Sequence, residues 1–418
     1  MKHQRIRLLT AVAAAVGGAA FVPLAHAIDI EAGDWKVSIT GNVNAHYVYS
    51  RCDTTPGAGS RIAGGLACTD DNSSSSSVSN GLLPAALAIS GATTQGAYDL
   101  GFTFGLYPGI STNDGGSPNL QSQNAPTQAL THTALGTAGL DVRQVFLTFG
   151  NKEMGTVMAG RNIGLFGADA ILNDMTLLGV GAGNGNYAAP ANTSLGSIGL
   201  GYIYTDWLSQ IDYTTPSIAG AKVTVGIFDP LNTLSQIPAS KKAPGFHAKV
   251  AYTLGSLYLS ASGLVQQQRH TTTALGTSPD YNSWAIDFGG KYDLAGLEVG
   301  GWYYTGKGVG TTGLFVASDD GFGHPRNSDG YLVQATYKIL QTKFGINYGQ
   351  SNLHTASGDI DPARALLVNK NDKVTVGVYQ DLTTNLLLLL EFSRLESQNQ
   401  AGQKNTSRNL NVGAFLKF

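Results

Sequence analysis

The 418-residue chain carries 26 Lys and Arg residues against 28 Asp and Glu residues, and 13% of its residues are charged, where about 25% is usual. This near-neutral balance gives no strongly basic surface, which a protein would need to bind nucleic acid or an anionic membrane surface by charge. The length permits a large core, but so few charges are unusual for a protein whose surface faces water.

The N-terminal segment has the features of a secretory signal peptide. Three basic residues in the first seven positions precede an apolar stretch at 8–22, and an Ala-His-Ala sequence ends at Ala27. This order predicts cleavage after Ala27, so that 1–27 is removed. An uncleaved anchor helix is disfavoured, because the stretch is rich in Gly and Ala and Pro23 interrupts its end. Cleavage leaves residues 28–418 as one domain with 23 basic and 28 acidic residues, a net charge of −5.

Cys52 and Cys68 are the two cysteines of the chain, and they lie in a segment rich in Gly, Ser and Thr. In an exported protein such a pair predicts a loop disulfide. Two scattered cysteines without a neighbouring pair of histidines do not predict a metal site.

Beyond the signal segment, no apolar run approaches the ~20 residues of a membrane helix, and the longest is the five leucines at 386–390. Alternation of apolar and polar residues is widespread instead, as at 37–49, 246–254 and 331–339. A period of two residues predicts strands. Because only helices and closed barrels satisfy all backbone groups in lipid, a membrane-spanning protein of this kind must be a barrel.

The alternation predicts sixteen strands, and the connections between them sort by length. Four-residue or shorter turns such as 151–154 and 255–256 alternate with long loops such as 51–80 and 108–139 that are rich in Gly, Ser, Asn and Thr. An even number of strands with short turns at one end and long loops at the other predicts an all-β, antiparallel outer-membrane barrel. The predicted strands are 35–50, 81–93, 97–107, 140–150, 155–162, 206–214, 221–229, 245–254, 257–268, 281–293, 297–306, 329–339, 342–350, 372–381, 385–395 and 407–418.

The last predicted strand runs to the terminal residue, Phe418. Its apolar residues fall on every second position, and Phe418 shares their face. A closed barrel requires the last strand to pair with the first, since an open edge would otherwise lie in lipid. We therefore expect the strand that ends at Phe418 to pair with the strand that starts at Trp35, with the terminal ring at the membrane interface.

Three features resemble the trimeric porins of Gram-negative outer membranes. The stretch RQVFLTFGNKEMGTVMAGRNIGLFGADAILND at 143–174 resembles the family's hairpin R-x-x-F-x-x-x-G…G-x-x-x-x-G-R-N and the third loop that follows it. The stretch IDYTTPSIAGAKVTVGIF at 211–228 is similar to the family's strand, S-P turn and G-F strand near the middle of the barrel. The third feature is the terminal Phe418, which resembles a family assembly signal.

The resemblance implies a water-filled pore that the third loop, at about 163–205, narrows by folding inward. It also implies an acidic residue on that loop opposite basic residues of the wall. Arg143 matches the wall arginine, Arg161 closes the G-R-N element, and Asp174 matches the acidic loop position. Asp169 is five residues from Asp174, which on a short helix places the two about 140° apart. At most one of them should therefore face the pore, and the family match favours Asp174.

Two departures from the family pattern weaken the expected field across the pore. Leu178 stands where the family often has a second carboxylate, and Gly41-Asn42 replaces a Gly-Lys pair. Three of these residues also have a structural alternative. Arg143 would then be one more charge of the lumen wall, Arg161 a salt-bridge partner, and Asp174 a carboxylate bonded to nearby backbone.

The sequence contains no catalytic motif that we recognise, and its histidines are scattered, so we expect no enzymatic activity and no cofactor. The glycine-rich stretch at 179–186 lacks the Lys-Ser/Thr of a nucleotide loop and is interpreted as a flexible loop. The predicted function is passive diffusion of ions and small hydrophilic solutes across the outer membrane, in contact with lipid and lipopolysaccharide, by a homotrimer that binds no nucleic acid. One alternative is a substrate-selective channel whose eyelet is lined by Leu165, Phe166, Leu177 and Leu178. Another is an adhesin or phage receptor that uses the long loops.

Overall fold

The computed structural model describes residues 27–54, 62–68, 74–110, 140–183, 192–233, 241–269 and 280–418. The predicted signal peptide, apart from Ala27, lies outside these residues. The described part is almost entirely β-structure and contains two short helices, α1 (Ala168–Leu172) and α2 (Ala363–Leu366). The strands are β1 (Ile28–Ala32), β2 (Trp35–Thr54), β3 (Ser74–Ser79), β4 (Ala86–Gln95), β5 (Tyr98–Pro108), β6 (Leu140–Asn151), β7 (Gly155–Ile163), β8 (Trp207–Thr214), β9 (Ala221–Phe228), β10 (Gly245–Leu254), β11 (Leu257–Gln268), β12 (Tyr281–Leu294), β13 (Leu297–Lys307), β14 (Asn327–Ile339), β15 (Thr342–Leu353), β16 (Val368–Asp381), β17 (Leu386–Asn399) and β18 (Lys404–Lys417).

These strands form a closed antiparallel barrel, and the predicted sixteen-stranded architecture is confirmed. From β4 to β18 each strand pairs with its neighbours in the chain, and β18 pairs with β2 from Asn405↔Thr54 to Lys417↔Asn42. The eighteen strands give sixteen positions around the barrel, because β3 and β4 share one position beside β2 and β1 only extends the sheet at one end.

Alternation along the strands separates a lipid-facing surface from the lumen. In β12 the exposed side chains are Trp284, Ile286 and Phe288, whereas Ser283 and Asp287, which have the opposite parity, are buried inside. The other strands of the barrel show the same distribution, with large apolar residues outside and polar residues within. This is the distribution that lipid outside and water or polar loops inside require.

The predicted strand 81–93 is the one that differs most from the structure. It is replaced by β4 at Ala86–Gln95 and by β3 at Ser74–Ser79, and residues 80–85 leave the sheet between them. The cause is a contact with the barrel interior, because the N–H of Leu82 donates to the carbonyl of Gly179 at 2.7 Å. Pro84, which lacks an N–H for a sheet ladder, lies in this break.

The two ends of the described chain meet along one edge of β2. The N–H of Gly41 donates to the carbonyl of Phe418 at 2.8 Å, and the N–H of Phe418 donates to the carbonyl of Gly41 at 3.0 Å. The ring of Phe418 lies against Gly41, where a Cβ atom would come within 2.7 Å of it. β1 pairs with the same edge of β2, from Ile28↔Ile39 to Ala32↔Trp35. It therefore covers the part of this edge that lies beyond the end of β18.

The first external loop is fastened to the rest of the barrel. Cys52 at the end of β2 forms a disulfide with Cys68, with 5.6 Å between their Cα atoms. The backbone N–H groups of Leu66 and Ala67 both donate to the hydroxyl of Ser397 on β17. The described loop segment 62–68 is therefore held at β2 by the disulfide and at β17, two strands away across the seam, by Ser397.

No helix among the described residues is long and apolar enough to cross a membrane.

Replacing Phe418 by Ser should lower the amount of folded protein in the outer membrane while leaving export intact. The substitution removes the ring that packs on Gly41 and covers the end of the seam. The measurement is the folded, heat-modifiable fraction in outer-membrane preparations, with Leu416→Ser as the control because Leu416 is also an outward-facing residue of β18. Equal amounts of folded Phe418→Ser and parent protein would contradict a special role of the terminal ring.

Candidate functional site: the loop inside the barrel

The connection between β7 and β8 is described at 164–183 and 192–206, and these two segments, called the inner loop below, lie inside the barrel. Three of its backbone N–H groups bind side chains of different strands: Gly167 donates to Asp287 of β12 at 2.6 Å, Met175 to Gln334 of β14 at 2.9 Å, and Gly201 to Ser351 of β15 at 3.0 Å. The inner loop thus crosses the lumen and then follows the wall.

Glu391 of β17, which is fully buried, attaches the inner loop to the wall. One oxygen of its carboxylate accepts the backbone N–H groups of Val180 and Gly181 at 3.0 and 2.8 Å, and the other accepts the hydroxyl of Tyr379 at 2.7 Å. Charge-assisted bonds of this kind are stronger than neutral ones. A Cβ at Gly179 would lie 2.0 Å from the carboxylate, so only glycine allows this approach.

The sequence analysis treated 179–186 as a flexible loop, and for its described part, 179–183, the structure shows a packed segment instead. All five residues are buried. The available signal was Glu391 itself, a carboxylate on the same face of its strand as the residues that line the lumen. Parity alone did not show that backbone amides of a distant loop would be its partners.

Asp174 is placed differently from the sequence expectation that it faces the pore. It is 3% exposed, and its carboxylate accepts four hydrogen bonds, from the N–H and hydroxyl of Thr176, the hydroxyl of Tyr202 and the amide of Asn347. The carboxylate of Asp174 therefore lies between the inner loop and the barrel wall and is bonded to both, as in the structural alternative considered above.

A buried cation lies near these two carboxylates. Lys373 of β16 is fully buried, and both Asp174 and Glu391 interact with its charge. Its ammonium group has no hydrogen-bond partner among the described residues. Lys373 balances part of the negative charge that folding buries behind the inner loop, which matters because isolated buried charges are costly.

Asp169, at the start of α1, faces the opposite wall. Its carboxylate lies 3.2 Å from the ammonium group of Lys249 on β10. Both side chains are mostly buried but remain in contact with solvent, with 11% of Asp169 and 18% of Lys249 exposed. As expected from their spacing, Asp169 and Asp174 point to different sides of the inner loop. The structure brings Asp169, not Asp174, to a charged contact across the lumen.

Arg143 lies inside the barrel although it shares its parity with the outward-facing Val145 and Leu147. The register between β5 and β6 shifts so that Gly105 pairs with Gln144 while Leu106 pairs with Val142. This β-bulge turns Arg143 inward together with Gln144. The bulge explains why apolar and polar residues alternate irregularly in this strand. The sequence showed the irregularity but not the direction in which Arg143 points.

Several partners fix the guanidinium of Arg143. It donates to Asp141 at 3.0 Å and to Asn192 of the inner loop at 3.1 Å. Its central carbon lies 5.2 Å from the ring centre of Tyr107 and 5.9 Å from that of Trp207. The side chain is 4% exposed, so it joins the wall to the end of the inner loop and presents little charge to open solvent.

Arg161 lies on the outer face of the barrel and not with Arg143. Its cross-strand neighbours on that face are the outward-facing Val145 and Ser209, and its Nε donates to the carbonyl of Val142 at 3.1 Å. The G-R-N element was matched to a pore residue by resemblance alone. The strand parity of β7 places Asn162, the next residue, inside.

The rest of the inner loop packs through apolar residues. Ile171, Leu195, Ile198 and Leu200 are buried against wall residues that include Leu332. Among the described loop residues, Leu165, Leu172, Leu177 and Leu178 are half-buried, whereas Phe166 is almost fully buried. No group of His, Cys, Asp and Glu side chains in the described ranges is arranged to hold a metal ion.

Solved structures with the same architecture are outer-membrane proteins. The outer-membrane channel DcaP of Acinetobacter baumannii is 16% identical, with 93% of this chain and 99% of that chain covered and a TM-score of 0.65. OmpF of Salmonella typhi, in complex with daunomycin, is 12% identical over 94% and 100% with a TM-score of 0.57. A trimer form of in-vitro folded OmpT from Vibrio cholerae is 14% identical over 92% and 99% with a TM-score of 0.52. A comparison with curated protein sequences gives no match.

These likenesses establish the fold, and the sequence itself establishes the family. The family model described as Gram-negative porin matches residues 9–400, which include every strand from β1 to β17. The closed barrel, the inner loop fastened to its wall and this match agree with one another: the chain belongs to the Gram-negative porin family and is an outer-membrane β-barrel channel.

Proposed function

We propose that residues 28–418, after removal of the segment 1–27, form a water-filled channel for passive diffusion of ions and small hydrophilic solutes. The observation that carries the proposal is the inner loop, which Glu391, Gln334 and Ser351 fix inside a closed barrel. A narrowed lumen with polar walls sorts solutes by size, since no step of the passage requires a specific binding event.

The charges that line the lumen support a weak ion preference. Three lysines of the inward faces are each paired with a carboxylate: Lys249 with Asp169 at 3.2 Å, and Lys291 with Glu298 and Lys338 with Asp381, each at 2.9 Å. Each pair is nearly neutral at a distance, so the field that it projects into the lumen is small. This agrees with the weak cross-pore field expected from the sequence.

We assign different roles to the predicted constriction residues. Asp169 is the charged group of the narrowest region, opposite Lys249, whereas Asp174 and Arg143 hold the inner loop in place through their hydrogen bonds. Arg161 takes no part in the pore, because it lies on the lipid-facing side.

A second candidate, a substrate-selective channel, is favoured by one observation. The partly exposed residues of the inner loop include four leucines, Leu165, Leu172, Leu177 and Leu178, while Asp174 is buried. An edge of this kind would contact the apolar part of a passing solute, as pockets for small molecules do. A selective channel would then show saturation by one solute class.

We also propose that the chain assembles as a homotrimer and has no catalytic activity. The support for a trimer is the OmpT trimer form, a structure with the same fold. The support for a non-catalytic role is the family, which consists of channels.

Reconstitution into planar bilayers should give stepwise, ohmic conductance that no single solute blocks at low concentration. The expectation follows from a fixed inner loop and paired lumen charges. Saturable block by one solute would instead support the selective channel. Absence of conductance from correctly folded protein would contradict both.

Glu391→Ala should raise the single-channel conductance and the current noise. The substitution leaves two backbone N–H groups and the Tyr379 hydroxyl without their acceptor, at about 1–3 kcal/mol for each buried group. The inner loop then moves away from the wall for part of the time. Glu298→Ala is the control, because Glu298 is also an inward-facing carboxylate and pairs with Lys291 of the neighbouring strand β12 at 2.9 Å. Identical conductance and noise in Glu391→Ala and parent would show that this carboxylate does not fix the loop.

Asp169→Asn should shift the zero-current potential in a salt gradient towards anions more than Asp174→Asn does. Removing the Asp169 charge leaves Lys249 uncompensated beside the lumen, whereas Asp174 is screened from solvent by the inner loop. A larger shift with Asp174→Asn would place Asp174 at the constriction after all.

A further inference from the structure

The external loop between β13 and β14 turns back into the barrel. Its residues 309–316, called the lid below, include three apolar side chains that are almost completely buried: Val309, Leu314 and Phe315. These side chains belong to one apolar cluster with Phe166 and Ile203 of the inner loop. The lid therefore lies against the inner loop, on the side of the external loops.

Backbone contacts fix the place where the lid meets the inner loop. The N–H of Tyr204 donates to the carbonyl of Thr312 at 2.7 Å, and Tyr204 forms an isolated bridge with Gly313. A Cβ atom at Gly199 would lie 2.9 Å from the hydroxyl of Thr312. Every residue at 192–206 is buried in this arrangement. The lid thus covers part of the inner loop.

Arg326 fixes the two ends of the lid. Its carbonyl accepts the N–H of Gly308 at 2.8 Å, and its guanidinium donates to the carbonyl of Ala317 at 3.0 Å. Within the lid, the N–H of Phe315 donates to the carbonyl of Val309 at 2.9 Å. The lid is therefore a compact turn between two fixed ends, and rotation of the backbone at these ends moves it as one body.

The backbone of this region is strained. Among the described residues, six that are not glycine have a positive φ. Three of them lie in short turns between strands: Ala219, Ala295 and Leu340. The other three lie at the end of the inner loop or in and beside the lid: Asp206 with a φ of 64°, Phe315 with 65° and Ala317 with 55°. Such a backbone costs free energy and persists only where surrounding contacts enforce it, as in segments that switch between conformations.

We propose that residues 309–316 are a movable lid that closes the external side of the channel, with Gly308 and Ala317 as its hinges. The proposal rests on the channel function proposed above. In the closed position, burial of the apolar side chains of the lid opposes the backbone strain at Phe315 and Ala317. Opening exposes these side chains to water and lets the strained backbone relax. Two opposing contributions therefore set the balance between the closed and the open position.

Two substitutions should shift this balance in opposite directions. Ala317→Gly removes the cost of the left-handed backbone in the closed position, so the ratio of open to closed time should fall about fivefold. Phe315→Ala removes a buried ring from the apolar cluster, so the ratio should rise by more than about tenfold. Single-channel recording in planar bilayers measures both ratios.

Each substitution has a matched control. Leu340→Gly removes the same kind of strain, at a φ of 53°, from the short turn between β14 and β15. Phe322→Ala removes a ring from the same external loop as Phe315→Ala, but the side chain of Phe322 is 54% exposed and lies outside the lid. Both controls should open and close like the parent.

Hydrogen–deuterium exchange of the folded, detergent-solubilised protein tests the lid without a current. The N–H of Tyr204 loses its acceptor on Thr312 when the lid opens, so its exchange rate reports the open fraction. This N–H should exchange about fivefold more slowly in Ala317→Gly and more than about tenfold faster in Phe315→Ala. It should exchange at the parental rate in both controls.

Parental rates of exchange and of opening in all four variants would overturn the lid. A change in the same direction in Ala317→Gly and Phe315→Ala would also overturn it, because strain and burial would then not oppose each other. A folded parent protein that carries no current would contradict the proposed channel function instead, and exchange at Tyr204 would still support or overturn the lid.

Discussion

The rest of the structure depends on the pairing of β18 with β2. In lipid no water replaces a missing backbone partner, so a sheet with an open edge would leave a row of N–H and C=O groups unsatisfied. The pairing runs from Asn405↔Thr54 to Lys417↔Asn42, and Phe418 and Gly41 extend it through two further hydrogen bonds. Once the sheet is closed, alternation along each strand necessarily separates a lipid-facing surface from an enclosed one.

Closure creates an interior, and the inner loop occupies it through polar anchors and apolar contacts together. Glu391, Gln334 and Asp287 each accept backbone N–H groups of the loop, which would otherwise be buried without partners. Asp174 and Lys373 place opposite charges in the same buried region. The charged pairs that remain beside the lumen, such as Lys249 with Asp169, then face a passage whose width the anchored loop sets.

The sequence was sufficient for the barrel and insufficient for the site. Alternation is local, so strands such as 245–254 and 257–268 were predicted with the bounds that the structure shows. The break at 80–85 and the inward turn of Arg143 depend on a contact with Gly179 and on a one-residue bulge against β5, which no local pattern contains. The partners of Glu391 include the N–H of Val180, 211 residues away in the chain, and those of Asp174 include the hydroxyl of Tyr202, 28 residues away. The resemblance that selected Asp174 and Arg161 matched their positions in the sequence and carried no information on the side chains around them.

The central claim is that an anchored inner loop narrows a water-filled lumen in an otherwise wide barrel. Liposome swelling with sugars of increasing size tests it most directly, because the rate of swelling reports how freely each solute passes. The account predicts fast swelling with monosaccharides and a steep fall in rate as the oligosaccharide lengthens. A rate that does not depend on solute size, or no swelling with any sugar by folded protein, would contradict it.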